Sequence, residues 1–202
     1  VSNDVAIVDS GGANLASLQF ALERLGARGT ITASPAVIRS AGRVILPGVG
    51  AAGDAMQRLR SAGLDTVLPG LQQPVLGICL GMQLLYERTE EGDTQCLGIV
   101  PATVRRLLPS PGLPAPHMGW NRVRARRAGG LLDGLADGEH FYFVHGYAAP
   151  TTPDTIAVTD YGTDITAIVQ RRNFLGTQFH PERSGPAGAR VLQNFLRGAT
   201  CC

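Results

Sequence analysis

The chain contains no lysine: all 18 of its basic residues are arginine. That excludes lysine chemistry, the Schiff base above all. Net charge is also small, +2 over 202 residues, so nothing electrostatic calls for a nucleic-acid partner. No apolar run approaches the ~18 residues of a membrane helix. Asp9 interrupts the first apolar stretch too early for a secretory signal. Cysteines are few. Cys201 and Cys202 are adjacent and make no secreted disulfide framework, so with Cys79 and Cys96 they fit a reducing cytoplasm. Repeats and low-complexity tracts are absent, and no composition break divides residues 1–202, so one domain is expected. A hydrophobic content of 44% against 17% charge belongs to a folded chain with a substantial core.

Val5-Ala6-Ile7-Val8 is an unbroken apolar run, the pattern of a strand buried on both faces. Residues 9–13 read as a Gly-rich turn. Asn14 is placed to cap a helix with Leu15, Leu18, Leu22 and Leu25 on its apolar face. Strands are predicted at 30–32 and 43–46, the latter closed by Pro47-Gly48-Val49-Gly50. A helix follows at 53–60, then a strand at 74–78 and a helix at 80–87. This alternation predicts an α/β fold: an open, mostly parallel, doubly wound sheet with helices on both faces. Such sheets carry their sites at the carboxyl ends of strands, and the loops at Asp9, Pro47 and Cys79 leave that edge. Beyond residue 96 the pattern changes. Strands predicted at 97–107, 121–126, 140–144, 156–159, 165–170 and 174–179 are expected as antiparallel additions to the same core. A last helix at 186–197 buries Val191, Leu192, Phe195 and Leu196, with Pro186 suited to its first turn.

A cysteine between Ile and Leu is ordinarily a core residue. Gly77 and Gly81 change the reading of Cys79. Gly-Ile-Cys-Leu-Gly between an apolar strand and a helical pattern describes a strained strand-to-helix turn that exposes its central side chain. The start of the helix and a nearby imidazolium then favour the thiolate. His180-Pro181-Glu182 closes the strand at 174–179. A histidine there is often a satisfied strand end, but Glu182 stands two residues on, facing the same side of an extended segment. Pro181 stiffens the link, and Glu182 accepts from one ring nitrogen while the other is left for Cys79. His117, His140 and His145 have no carboxylate so placed; His117 and His145 are secondary candidates. The loop at Pro47-Gly48-Val49-Gly50, one strand before the nucleophile, is a source of an oxyanion-hole N–H from Val49, with the N–H of Leu80 as the second donor. Arg122, Arg124, Arg126 and Arg127 read as a solvated edge strand protected by charge, in preference to a docking patch for an acidic partner.

Gly77-Ile-Cys-Leu-Gly-Met-Gln83 together with His180-Pro-Glu182 resembles the class I (triad) glutamine amidotransferases. Leu46-Pro-Gly-Val-Gly-Ala51, Pro116-His-Met-Gly-Trp-Asn121 and Phe141-Tyr-Phe-Val-His145 resemble the branch of that family serving imidazole glycerol phosphate synthesis. The resemblance spans Asp9 to Leu196. It implies a glutaminase, a hydrolase working within a lyase-type synthase complex, with Cys79 as nucleophile, His180 as base and Glu182 orienting it. It implies that Gly48, Gly50, Gln83, Glu91, Gly146 and Tyr147 hold glutamine. His117, Met118, Trp120, Asn121 and Arg183 are implied to face a (β/α)8-barrel cyclase subunit of HisF type, as a heterodimer. No metal or cofactor enters that scheme. The resemblance further implies that glutaminase activity is nearly silent until the cyclase binds its ligand, and that the Val49 peptide turns to complete the oxyanion hole. Gly146 stands where the family commonly has Ser or Thr, Arg183 where it has Lys, and Ala13 where it has Gly. Two other readings stay open on the residues: an amidotransferase for another synthase (anthranilate, aminodeoxychorismate or pyridoxal phosphate), and an inert partner-binding scaffold.

Overall fold

The computed structural model describes residues 4–10, 15–128 and 130–198. The first half alternates strand and helix: β1 Asp4–Val8, α1 Leu15–Arg24, β2 Arg28–Thr32, α2 Pro35–Ser40, β3 Arg43–Gly48, α3 Ala52–Ser61, α4 Leu64–Val67, β4 Val75–Cys79 and α5 Leu80–Gln83. Strands dominate thereafter: β5 Tyr86–Thr89, β6 Thr94–Gln95, β7 Val100–Arg106, β8 His117–Ala125, β9 Glu139–His145, β10 Tyr147–Ala148, β11 Thr155–Asp160, β12 Asp164–Arg171 and β13 Phe174–Thr177. Helix α6, Gly185–Arg197, follows.

Nine strands form one sheet in the order β2-β1-β3-β4-β13-β12-β11-β8-β9. The five from β2 to β13 are parallel, and from β12 to β9 the neighbours run antiparallel. The central parallel strands β3 and β4 are buried at every residue, as strands covered on both faces must be. Alternate side chains enter opposite cores. Ile45 packs with Leu18 and Leu22 of α1 and Val191, Leu192 and Phe195 of α6. Val44 and Leu46 pack with Ile38, Met56, Leu59 and Leu64 on the other side.

Four expectations are corrected. The strand predicted at 174–179 as an antiparallel addition is β13, which pairs parallel with β4 and antiparallel only with β12. The helix predicted at 80–87 ends at Gln83, and Tyr86 begins a strand. Leu84, Leu85 and Tyr86 are all fully buried, and a short run apolar at every position fits a helix and a strand equally well. The strand predicted at 97–107 does not join the main sheet. As β7 it belongs to a second, four-stranded sheet of order β10-β7-β5-β6, and its pairing with β5 is parallel. The arginine-bearing strand is not an edge either, because β9 covers β8. Arg124 instead pairs with Asp164 at 2.7 Å, and Arg127 donates to the Pro153 carbonyl. The capping role expected of Asn14 lies outside the described residues.

Candidate active site

Cys79 ends β4 and Leu80 starts α5, so the chain reverses from strand to helix at a single residue. Cys79 has φ 53 and ψ −110, a backbone conformation that costs a non-glycine residue roughly 1–3 kcal/mol. The flanking glycines make the turn sterically allowed. A Cβ on Gly77 would lie 2.6 Å from the Gly81 carbonyl oxygen, and one on Gly81 would lie 1.8 Å from that of Leu46. Gly81→Ala is therefore expected to cost about 3 kcal/mol or more, since the clash is with strand backbone that cannot step aside. Gly70→Ala, where nothing lies within 4 Å, is the matched control. Urea unfolding of the two variants checks the difference.

Strand register brings the second part of the site. Gly48 is the partner of Cys79 across β3 and β4, so the loop at 47–50 lies beside the Cys79 turn. Gly48 is pressed against the first turn of α5, where an added Cβ would meet the Gly81 nitrogen at 2.8 Å. The loop is anchored at both ends. Ser10 donates its hydroxyl to the Pro47 carbonyl at 2.8 Å, and the Ala52 N–H donates to Glu91 Oε2 at 2.9 Å.

His180 follows β13, the parallel neighbour of β4 on its other side. Its backbone N–H donates to the Tyr142 carbonyl at 3.0 Å, and Ser184 Oγ donates to the His180 carbonyl at 2.7 Å. The His-Pro-Glu segment is not extended: Pro181–Arg183 is a 3-10 turn. The predicted contact exists nonetheless, because the turn curls Glu182 back until Oε1 is 2.8 Å from His180 Nδ1. Both side chains are nearly buried, 7% and 11% exposed. His180 Nε2 is buried with no hydrogen-bond partner among the described residues. The Cys79 thiol points at the Val144 carbonyl oxygen, 3.7 Å away. Burial would lower the His180 pKa, but its interactions with Cys79 and Glu182 outweigh burial and hold it well above the ordinary value.

A cavity of about 300 Å³ brings together Cys79, His180, Val49, Gly50, Leu80, Gln83, Glu91, Gly146 and Tyr147. Gln83 Nε2 donates to the Tyr147 carbonyl at 2.8 Å and to Gln178 Oε1 at 3.0 Å. With its N–H groups so engaged, the amide meets a ligand as an acceptor. Gly48 lines a neighbouring cleft with Val49, His180, Glu182 and Arg183.

Of the five remaining residues, the four on β8 divide by strand alternation and Arg183 ends the 3-10 turn. Met118 and Trp120 point outward, 64% and 57% exposed, while His117 is buried and Asn121 is turned toward the interior. Trp120 meets Tyr142 edge-on at 6.1 Å, and the Arg183 guanidinium lies 5.7 Å from the centre of the Tyr142 ring. Sequence reasoning missed Gln178, whose Nε2 stands 3.9 Å from the Cys79 sulfur. Its signal was an amide side chain within the mostly apolar run 174–179 that leads to His180.

Residues 6–199 match the family described as Glutamine amidotransferase class-I. The chain is 55% identical over 193 residues, 96% of each chain, to a protein of Xanthomonas oryzae pv. oryzae named Imidazole glycerol phosphate synthase subunit HisH. It is 52% identical over the same share to the protein of that name from Xylella fastidiosa. Among solved structures, PurLQS from Thermotoga maritima superposes with a TM-score of 0.73 at 18% identity, covering 98% of this chain and 99% of that one, a likeness of fold.

Proposed function

The chain belongs to the class I glutamine amidotransferases, and on that footing we propose that it is the glutaminase subunit of an imidazole glycerol phosphate synthase in histidine biosynthesis. It hydrolyses L-glutamine to glutamate and delivers the ammonia to a cyclase subunit. The observation that carries this reading is the convergence of a strained Cys79 and a carboxylate-held His180 on one cavity.

The geometry supports the following chemistry. Glu182 accepts from His180 Nδ1, which leaves Nε2 to take the thiol proton. The Cys79 thiolate attacks the side-chain amide carbon of glutamine. The peptide N–H groups of Val49 and Leu80 receive the oxyanion. His180 returns its proton to the departing ammonia, leaving a glutamyl thioester, and then activates the water that releases glutamate. Gln83 and Glu91, acceptors on the cavity wall, suit the ammonium end of the substrate.

Ammonia released into neutral water becomes ammonium, which is not a nucleophile, so the product needs a sheltered route into a partner. Met118, Trp120 and Arg183 present the aromatic, thioether and guanidinium chemistry of an interface centre. The partner is a (β/α)8-barrel cyclase, and the pair works in the cytoplasm. The test is glutamate release from the chain alone, with a ligand-loaded cyclase, and with an anthranilate synthase. The cyclase is expected to raise the rate by roughly 10²–10³-fold, the worth of one oxyanion donor. Activation by the anthranilate enzyme alone would overturn the assignment.

A further inference from the structure

His117 and His145 are cross-strand partners on β8 and β9, and neither takes part in the chemistry above. Both are buried. His117 is sandwiched between rings, with Phe143 stacked at 4.8 Å and Tyr161 at 4.0 Å. A phenyl ring would fill that box without losing the hydration of two nitrogens, so packing alone does not account for an imidazole there.

The hydrogen bonds run in one direction. Asn121 Oδ1 accepts from the Arg122 N–H at 2.8 Å, and its Nδ2 donates to the Asp160 carbonyl at 2.9 Å, which fixes the amide. Nδ2 also faces His117 Nε2 at 3.3 Å, so that nitrogen is the acceptor. The His117 proton is therefore on Nδ1 and is donated to His145 Nε2 at 3.0 Å. His145 in turn carries its proton on Nδ1 and donates it to the Tyr147 carbonyl at 2.7 Å. That carbonyl is the one that accepts from Gln83, whose other N–H reaches Gln178, which stands over the Cys79 sulfur.

We propose that Asn121, His117 and His145 are positioning residues for glutamine, a hydrogen-bond chain of fixed polarity that runs from β8 to the Tyr147 carbonyl and holds the junction of β9 and β10 and the Gln83 amide in place. The proposal rests on the function proposed above and deepens it. The last link spans Gly146, which has open space around its α-carbon and no side chain to anchor the junction; its backbone is held through its carbonyl, which accepts from the Leu107 N–H at 2.9 Å. A proton added to His145 Nε2 would set donor against donor between the two histidines, and one added to His117 Nε2 would set donor against the Asn121 Nδ2. Burial accordingly lowers His117 to about 4. It lowers His145 to about 3, with the Tyr147 carbonyl opposing that shift and the charges of His117 and His180 adding to it. Those two imidazoles are the titratable groups acting on His145.

The chain with ¹⁵N-labelled histidine tests the polarity directly. Imidazole nitrogen correlations between pH 5.5 and 8.5 are expected to show both residues neutral and protonated at Nδ1 throughout. Titration of either ring in that range, or a proton on Nε2, would overturn the proposal. His117→Phe, which keeps the ring, is expected to raise KM for glutamine about tenfold, the worth of roughly one buried hydrogen bond. Its kcat should change less than the KM, and ammonium-driven synthesis in the complex should stay as it was. His117→Asn restores an N–H near the Nδ1 position and is expected to recover most of the KM. An unchanged KM in the Phe variant, or an Asn variant as impaired as the Phe variant, counts against the proposal. A wild-type chain that never turns over glutamine would instead count against the proposed function and leave the nitrogen spectra to stand.

Discussion

Cys79→Ala should lower glutamine-dependent synthesis in the assembled complex by a factor on the order of 10³ or more, since loss of a nucleophile leaves binding and the oxyanion hole as the remaining catalysis. Synthesis supplied with ammonium salts should continue at the wild-type rate, because the cyclase then needs no thioester. The pairing matters more than either number. A variant that lost both activities would point to a misassembled complex, and one that kept glutamine hydrolysis would remove Cys79 from the mechanism. Misfolding is not expected, because alanine adopts the Cys79 backbone geometry at a similar strain and removes a single sulfur from the wall of the cavity. Retained thermal stability in the alanine variant checks that point.

Glu182→Gln is the second large effect expected, a fall in glutamate release of roughly 10²–10⁴-fold. A glutamine amide still accepts from His180 Nδ1, so the ring remains oriented. What is lost is the negative charge that stabilises the imidazolium formed when Cys79 gives up its proton. The pH dependence carries the same signature. His180 is held above its ordinary value, so the folded chain binds its proton more tightly than the unfolded chain does. Its contribution to stability is fully present below about 6.5 and is lost as pH rises through the raised folded value. Glu182→Gln removes one of the two interactions that raise it, so this alkaline loss should shrink. Thermal unfolding of the variant and wild type across neutral to alkaline pH measures the difference. A variant whose alkaline slope matched wild type would mean that Glu182 does not hold the charge on His180.

The Cys79 turn was legible because its logic is local. Two glycines around one cysteine encode a turn that only glycines permit, and the contacts under 3 Å at Gly77 and Gly81 are that logic in space. The contact of His180 with Glu182 was also legible, though for a different geometry: an i, i+2 pair meets in a strand, and here a 3-10 turn brings them together. The parallel half of the sheet could be read from unbroken apolar runs such as β3 and β4. The second sheet could not, because the pairing of β5 with β7 is set by tertiary packing and has no counterpart in either strand's own pattern. The His117 and His145 chain was out of reach for the same reason. Each residue is ordinary alone, and only the register of β8 on β9 places them 3.0 Å apart.

The most direct test is labelling by a glutamine analogue that carries a thiol-reactive side chain. Among the described residues the cysteines are Cys79 and Cys96, both buried free thiols; of the two, Cys79 lines the cavity with His180, and burial pushes Cys96 up to about 11. In the assembled, ligand-loaded complex, peptide mass analysis should find one adduct per chain, on Cys79, formed in step with the loss of glutaminase activity and blocked by excess glutamine. Activity lost with Cys79 unmodified, or full activity with Cys79 fully labelled, would contradict the account.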